Sequence, residues 1–268
     1  MIIIDYNQLA ISNIMAQVGT HTNVAIEEDL VRHMILNKVR SIRQKFKGNH
    51  TVVIACDGKN SWRKQVFPLY KANRKKDREA SDFDWGKIYE ILNTIRDEFR
   101  DNFPYIVIHM EGAEADDIIA SLVMKYGQQL NTGDENIVVV SGDKDFIQLQ
   151  QYANVVQYDP VNNRIIESKD PSRFIIEHIV KGDRGDGIPN ILSADNSLVE
   201  GIRQKKITEK FIGLIIDQGI EAQPEEVQKR YKRNQQLIDL SFVPDNIKQA
   251  TFNVFDVEQP KCSFKRTK

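Results

Sequence analysis

The chain has 268 residues, of which 41% are hydrophobic and 28% charged, enough for one large domain or two smaller ones. Its net charge is −1. No apolar run approaches the roughly 20 residues that span a bilayer. The first residues lack the charged and apolar segments of a secretion signal. Two cysteines are too few for a disulfide framework, so we expect a cytoplasmic protein without a membrane partner.

Short β-branched runs alternate with longer amphipathic segments over the first 160 residues. The predicted strands are Ile2–Ile4, Val52–Ala55, Ile106–Met110, Ile137–Val140 and Val155–Tyr158, followed by a hairpin turn into Arg164–Ile166. The predicted helices between them are 26–46, 84–102, 114–127 and 144–151. This alternation predicts an α/β fold with a mostly parallel central sheet flanked by helices.

The strand signal stops near residue 171, and the rest of the chain has helical periodicity. The predicted helices are 171–181, 196–217 in pieces, 224–240 and 244–255. A glycine- and aspartate-rich loop at 182–189 separates the two patterns. We therefore expect a larger domain at 1–180 and a smaller helical region at 181–268.

Acidic residues follow the ends of the predicted strands. Asp5 and Asp57 follow the first and second strands, and Asp143 and Asp145 follow the fourth. The start of helix 114–127 and the loop at 182–189 complete a set of nine: Asp5, Asp57, Glu114, Asp116, Asp117, Asp143, Asp145, Asp183 and Asp186. Helix capping and turn formation are alternative explanations for each acid taken alone.

Convergence of these acids would require divalent cations. The carboxyl ends of parallel strands meet at one edge of a sheet, where ligands of open α/β sheets bind. Several carboxylates gathered there would repel one another unless cations neutralised them. Because every donor is an oxygen, Mg²⁺ or Mn²⁺ is favoured over zinc, and two such ions suit displacement at phosphorus.

A strongly basic segment lies directly after Asp57. Between Lys59 and Arg78 the chain has eight basic residues and one acid, Asp77, with three aromatic residues among them. Basic side chains follow phosphates and aromatic rings stack on unpaired bases, so the segment is typical of a nucleic-acid contact. A solvated loop is the alternative.

The same acids resemble the metal-binding series of the flap endonuclease/5′-nuclease family, which includes the 5′-nuclease domains of bacterial DNA polymerases. The matching motifs are Asp5, Asp57, Glu114-Ala-Asp-Asp117, Gly142-Asp-Lys-Asp145 and Gly182-Asp-Arg-Gly-Asp186. Further stretches at 31–37, 104–107 and 237–247 resemble a bacteriophage subgroup. The resemblance implies a PIN-like 5′-nuclease fold with a helix-hairpin-helix-like C-terminal region, although residues 188–197 lack the family's Gly-x-Gly pattern.

The resemblance also implies roles for individual residues. Asp5, Asp57, Glu114 and Asp116 would surround one metal ion, and Asp117, Asp143, Asp145, Asp183 and Asp186 would serve a second. The catalytic residues would be Asp5, Asp57, Asp116 and Asp143, with Lys71 and Arg74 beside the scissile phosphate. Residues at about 59–83 would form a clamp or arch for single-stranded 5′ ends. The residues in contact with nucleic acid would be Arg63, Tyr70 (by stacking), Lys71, Arg74 and Lys75. Lys205 and Lys206 would contact duplex phosphates. For these two lysines a solvated helix face is the alternative.

The expected function is therefore that of a 5′→3′ exonuclease and flap endonuclease with ribonuclease H activity, dependent on two Mg²⁺ ions, with Mn²⁺ as a substitute. Its substrates would be RNA–DNA hybrids at RNA primers and the 5′ ends or flaps of DNA during replication. The expected partners are DNA and hybrids with single-stranded 5′ ends and, from the family's context, a single-strand DNA-binding protein or sliding clamp. We expect a monomer, in the host cytoplasm if phage-encoded. The alternatives are a catalytically weak DNA-binding accessory protein and a PIN-type endoribonuclease.

Overall fold

The apolar runs of the first 166 residues form one six-stranded sheet in a computed structural model, which describes residues 1–18, 26–47, 51–74, 78, 81, 83–127 and 136–264. The strands are β1 (Ile2–Asp5), β2 (Val52–Cys56), β3 (Ile106–His109), β4 (Ile137–Val140), β5 (Val155–Asp159) and β6 (Arg164–Ile166). Their order is β3-β2-β1-β4-β5-β6, and only β6 is antiparallel to its neighbour. The predicted mostly parallel sheet is thereby confirmed.

The chain divides into two compact units. The sheet unit comprises Met1–Lys59, Asp82–Glu167 and Pro244–Lys268, and the helical unit comprises Asn60–Ser81 and Ser168–Val243. This division differs from a single boundary at 180/181. Phe67 and Tyr70 of the basic segment share a core with Ile179 and Leu237, whereas the last helix packs against the sheet unit.

Helices cover both faces of the sheet. The helices of the sheet unit are α1 (Tyr6–Val18), α2 (Glu28–Lys45), α4 (Trp85–Asn102), α5 (Ala115–Gly127) and α9 (Asp245–Phe264). Alternate strand residues such as Ile2, Ile4 and Ile54 pack with α1, α2 and α4. The intervening residues point to the opposite face, where α5 and α9 pack together against the strands. Burial on both faces explains why the central strands are continuous β-branched runs.

The helical unit contains α3 (Arg63–Val66), α6 (Pro171–Lys181), α7 (Glu209–Gln218) and α8 (Glu225–Ile238). Its two apolar clusters are formed by Phe67, Tyr70, Ile179, Ile188, Leu237 and Ile238, and by Val180, Ile191, Ile212, Ile215 and Ile220. Short 3₁₀ helices cover Ile220–Ala222 and Leu240–Phe242. The predicted helical character after residue 171 is confirmed. No described helix is both long enough and apolar enough to cross a bilayer.

The structure adds helix α1 to the predicted elements and corrects two of them. Helix α1 follows β1 without a linker. The sequence pattern did not predict this helix, because no separate cap or turn precedes it. Residues Lys144–Gln151 form a 3₁₀ helix rather than an α-helix. In the predicted 196–217 region the helix begins only at Glu209 and ends at Gln218. Asn190 Nδ2 donates to the Lys205 carbonyl and Ser193 Oγ accepts the Lys205 N–H, and these bonds hold the preceding loop in irregular turns.

Gly58 is required by the close approach of two loops. Its N–H donates to the carbonyl of Ala113 (2.8 Å), and an added Cβ would lie 1.8 Å from the carbonyl oxygen of Met110.

We expect Gly58→Ala to lower the free energy of unfolding by about 1–3 kcal/mol, measured by urea denaturation, because the backbone of one of the two loops must move to make room for the methyl group. Gly213→Ala is the control, since nothing lies within 4 Å of its added Cβ, and it should not destabilise the protein. Equal stability of the two variants would contradict this requirement.

Candidate active site

The parallel register brings three predicted metal ligands to one edge of the sheet. Asp5 of β1 lies opposite Ala55 of β2, and Ile4 lies opposite Val140 of β4. Asp57 and Asp143 follow these two neighbouring strands by a few residues. Because adjacent strands are about 4.8 Å apart, the three acids are held at the carboxyl ends of three consecutive strands.

A short chain of hydrogen bonds links Asp5 to the loop after β4. The Ser141 hydroxyl donates to Asp5 Oδ2 (3.1 Å), and the Asp143 N–H donates to Ser141 Oγ (3.1 Å). The Asp145 N–H then donates to Asp143 Oδ1 (3.0 Å), while the Gln8 N–H donates to Asp5 Oδ1 (3.1 Å). Ser141, which bonds two predicted ligands, was missed by the sequence analysis, and its position immediately before Gly142-Asp143 is the signal that could have found it.

The acids at the start of α5 form a second cluster in the sheet unit. Asp57 Oδ1 accepts the Ala115 N–H (2.9 Å), which ties the end of β2 to the first turn of the helix. Asp117 is fully buried and accepts the Glu114 N–H (2.9 Å), so it caps the helix as well as carrying charge. Glu114 is buried and Asp116 is half-buried. Seven of the nine predicted metal ligands therefore belong to the sheet unit.

The electrostatic state of Asp5 reflects this crowding. Its side chain is 5% exposed, and burial, followed by repulsion from Asp57 and then from Asp143, raises its pKa from 3.8 to about 7. Hydrogen bonds from Gln8 and Ser141 oppose the shift only in part. A divalent cation would relieve the same repulsion, and an all-oxygen donor set suits a hard cation. The residues of this edge therefore fit a divalent metal centre.

The two remaining predicted ligands belong to the helical unit. Asp183 accepts the Asp186 N–H (3.1 Å), and its other carboxylate oxygen lies 3.0 Å from Nε2 of the buried His178. Asp186 contacts Tyr70, Lys71 and Arg74. His178 was also missed, because a histidine five residues before an aspartate carries no distinctive sequence signal.

The structure changes the interpretation of the basic segment. Arg63 is 3% exposed and donates from Nε to the carbonyl of Leu237 (2.9 Å), and Tyr70 is 2% exposed. Neither side chain is presented for contact with nucleic acid, so stacking by Tyr70 and nucleic-acid binding by Arg63 are corrected to framework roles. Lys75 lies outside the described residues.

The more accessible cations differ in their setting. Arg74 is the more exposed of the two clamp residues and Lys71 is half-buried. Lys205 and Lys206 are exposed. They lie in the irregular loop before α7, so the alternative of a solvated helix face does not apply to them. Lys71, Arg74, Lys205 and Lys206 therefore stay as predicted contacts to nucleic acid.

Comparison with known proteins identifies the family. A family model described as the 5′-3′ exonuclease N-terminal resolvase-like domain matches residues 1–180, and one described as T4 RNase H, C terminal, matches residues 170–267. The chain is 33% identical over 266 residues to ribonuclease H of Enterobacteria phage T4, covering 95% of this chain and 85% of that protein. It is 34% identical over 149 residues to flap endonuclease Xni of Shewanella sp. (strain ANA-3), covering 52% of each.

Solved structures show the same fold. The T5 D15 protein, crystallised with metal ions, superposes with a TM-score of 0.68 at 17% sequence identity, covering 96% of this chain and 98% of that chain. The family model and the relatives named ribonuclease H and flap endonuclease identify the class of protein as a nuclease. The chain belongs to the 5′-3′ exonuclease family.

The raised pKa of Asp5 predicts a pH-dependent stability in metal-free protein. Because its folded-state pKa (about 7) exceeds the ordinary 3.8, its contribution to stability is full below pH 3.8 and is lost as the pH rises towards 7. We expect Asp5→Asn to raise the thermal midpoint in EDTA at pH 8, by an amount that shrinks towards pH 4. The exposed Glu167→Gln is the matched control and should show no such trend. A pH-independent effect of Asp5→Asn would contradict the assignment.

Proposed function

We propose that the chain hydrolyses phosphodiester bonds at single-stranded 5′ ends, acting on RNA–DNA hybrids at RNA primers and on 5′ flaps of DNA during replication. The observation that carries the proposal is the buried Asp5, whose carboxylate is crowded by Asp57 and Asp143 at three adjacent strand ends. Two of its relatives support this substrate class, since one is named ribonuclease H and another flap endonuclease.

The proposed cofactor is Mg²⁺, with Mn²⁺ as a substitute, at two positions. Asp5, Asp57, Glu114 and Asp116 would hold one ion, and Asp117, Asp143 and Asp145 are the sheet-unit residues for the second. The assignment of Asp183 and Asp186 to the second ion stays a prediction of the family resemblance. When bound, such ions lower the pKa of a coordinated water and stabilise charge on the phosphoryl and leaving oxygens.

The residues of the chain supply the preorganisation. Ser141 and the Gln8 N–H orient the two oxygens of Asp5, and the Ala115 N–H orients Asp57. These donors are backbone groups or a buried hydroxyl, so the carboxylates lose little freedom when a ligand binds. In the proposed metal-assisted hydrolysis water is the attacking group, so no nucleophile from the protein is required.

The helical unit is proposed to hold the nucleic acid. Lys71 and Arg74 would contact phosphates close to the scissile bond, and the exposed Lys205 and Lys206 would contact duplex phosphates further away. DNA as the ligand is supported by a protein of the same fold, a T5 D15 flap endonuclease variant, which has been crystallised as a pseudo-enzyme–product complex with DNA and metal ions. We further propose a monomer in the cytoplasm, which is the host cytoplasm if the chain is phage-encoded, with a single-strand DNA-binding protein or sliding clamp as partner.

The first prediction concerns Asp143. With Mg²⁺ present, wild-type protein should release short 5′ products from a labelled 5′ flap and from a nicked RNA–DNA hybrid, and EDTA should abolish both reactions. Asp143→Asn should slow both cleavages by roughly 10²-fold or more while still binding the flap, because a ligand and not a DNA contact is removed. Glu167→Gln, an exposed acid of the same unit, should cleave normally.

The product lengths distinguish the proposal from its rivals. Cleavage of RNA at internal single-stranded sites only would indicate a PIN-type endoribonuclease. Binding without any Mg²⁺-dependent cleavage would indicate an accessory protein. Full cleavage by Asp143→Asn would remove the metal assignment.

The second prediction separates catalysis from binding in the helical unit. Lys71→Ala should reduce the cleavage rate far more than the affinity for duplex DNA, because a charge near the reacting phosphate acts on the transition state. Lys206→Ala should instead weaken binding and reduce the salt dependence of the affinity by about one phosphate contact. Equal losses of rate and affinity in Lys71→Ala would show that Lys71 only attaches the nucleic acid.

A further inference from the structure

A fully buried glutamine lies in the middle of β5. Gln157 is 0% exposed, although its neighbours in the strand are Val156 and Tyr158 and the residue opposite it in β4 is Val139. A strand of a sheet that is covered on both faces is expected to be apolar. Removing an amide from water costs free energy unless its donors and its acceptor are hydrogen-bonded. The contacts of the Gln157 amide therefore indicate what it does at this position.

The amide nitrogen of Gln157 bonds both ends of the turn that carries Asp143. Its Nε2 donates to the carbonyl of Ser141 (3.2 Å) and to the carbonyl of Asp143 (2.6 Å). Only Gly142 lies between these two residues in the chain. Because an amide nitrogen has two hydrogens, each carbonyl can receive its own donor. One buried side chain thus holds the three-residue turn at the carboxyl end of β4.

Gln150, in the 3₁₀ helix Lys144–Gln151, fixes the orientation of this amide. Gln150 Nε2 donates to Oε1 of Gln157 (2.9 Å) and to the carbonyl of Ile166 (3.1 Å), the residue opposite Gln157 in β6. With Oε1 bound in this way, Nε2 is the end of the amide that faces the turn. Both the donors and the oxygen of the Gln157 amide therefore have partners.

The same turn carries polar groups of the acidic sheet edge. The Ser141 hydroxyl donates to Asp5, and Ser141 Oγ accepts the Asp143 N–H. Asp143 Oδ1 in turn accepts the Asp145 N–H. The two bonds from Gln157 Nε2 go to main-chain carbonyls, so they place the turn without neutralising a carboxylate. A displaced turn would move the Asp143 carboxylate and the Ser141 hydroxyl together.

We propose that Gln157 is a positioning residue for the divalent metal centre. It acts on Asp143 and Ser141 through the backbone of their turn, and Gln150 orients it. The inference rests on the proposed function, in which Asp5 and Asp143 are metal ligands. Residues that orient metal ligands contribute to metal affinity without touching the ion. A fixed turn beside β5 is the requirement that explains an amide in an otherwise apolar part of the sheet.

The test replaces the amide by an unbranched side chain of similar length that cannot donate. In Gln157→Met we expect the dissociation constant of Mn²⁺, measured on the full chain by electron paramagnetic resonance, to rise by about 10-fold or more. Single-turnover cleavage of a saturating 5′ flap with subsaturating Mg²⁺ should slow by a similar factor, while the affinity for the flap in EDTA should change by less than about twofold. Gln150→Met, which leaves Gln157 in place, should have a smaller effect in the same direction.

Val39→Ala is the control for a general loss of stability. Val39 is a buried core residue of α2, and its truncation removes apolar volume without changing the turn. It should lower the free energy of unfolding but leave the Mn²⁺ affinity unchanged. In metal-free protein, amide hydrogen exchange of the peptide that contains residues 141–146 should be several-fold faster in Gln157→Met than in wild type or Val39→Ala.

A double-mutant cycle tests whether the effect passes through Asp143. In the Asp143→Asn background, Gln157→Met should change the remaining Mn²⁺ affinity by less than about twofold, because the ligand that Gln157 positions has been removed.

The outcomes separate this inference from the proposed function. Unchanged Mn²⁺ affinity in Gln157→Met, equal effects of Gln157→Met and Val39→Ala, or affinity losses that multiply in the cycle with Asp143→Asn would each overturn the positioning role while wild-type cleavage stands. If wild-type protein cleaves neither the flap nor the hybrid, the proposed function fails. The Mn²⁺ affinity and the hydrogen exchange of the metal-free variants then decide whether Gln157 holds the turn.

Discussion

Repulsion between carboxylates at the ends of β2, β1 and β4 is the constraint on which the rest of the sheet unit depends. Asp5 cannot move away from Asp57 and Asp143, because both faces of the central strands are buried and the parallel register is fixed by apolar packing. The favourable burial of the sheet therefore maintains an unfavourable arrangement of charge. Such an arrangement persists in a protein where a ligand of opposite charge compensates it.

The acids of the helical unit have cationic as well as neutral partners. Asp186 pairs with Arg74 and Lys71, whereas Asp183 accepts the Asp186 N–H and lies 3.0 Å from Nε2 of His178. In the sheet unit, Asp5 accepts from the Ser141 hydroxyl and the Gln8 N–H, and Asp57 accepts from the Ala115 N–H. Neutral donors orient a carboxylate without cancelling its charge, which leaves that charge available to a metal ion, whereas cationic partners neutralise it.

The sequence predicted those features that depend on local pattern. The strands and the acids that follow them could be found because a parallel sheet needs continuous apolar runs and places their carboxyl ends together. It could not predict that Arg63 is buried, because the carbonyl that Arg63 binds belongs to Leu237, 174 residues away. Ser141, His178 and the assignment of 60–81 to the helical unit depend on tertiary contacts in the same way.

Burial divides the side chains of the basic segment into buried residues that fix its backbone and accessible cations. Phe67 and Tyr70 point into the core of the helical unit and Arg63 is bound to its backbone, while Arg74 is exposed only a few residues away. The buried residues cannot contact nucleic acid, but they fix the backbone from which the accessible cations extend. A high density of positive charge in the sequence therefore does not mean a uniformly basic surface. The segment combines a rigid anchor with a small number of oriented cations, and orientation is what distinguishes a catalytic cation from a charge that only attracts phosphate.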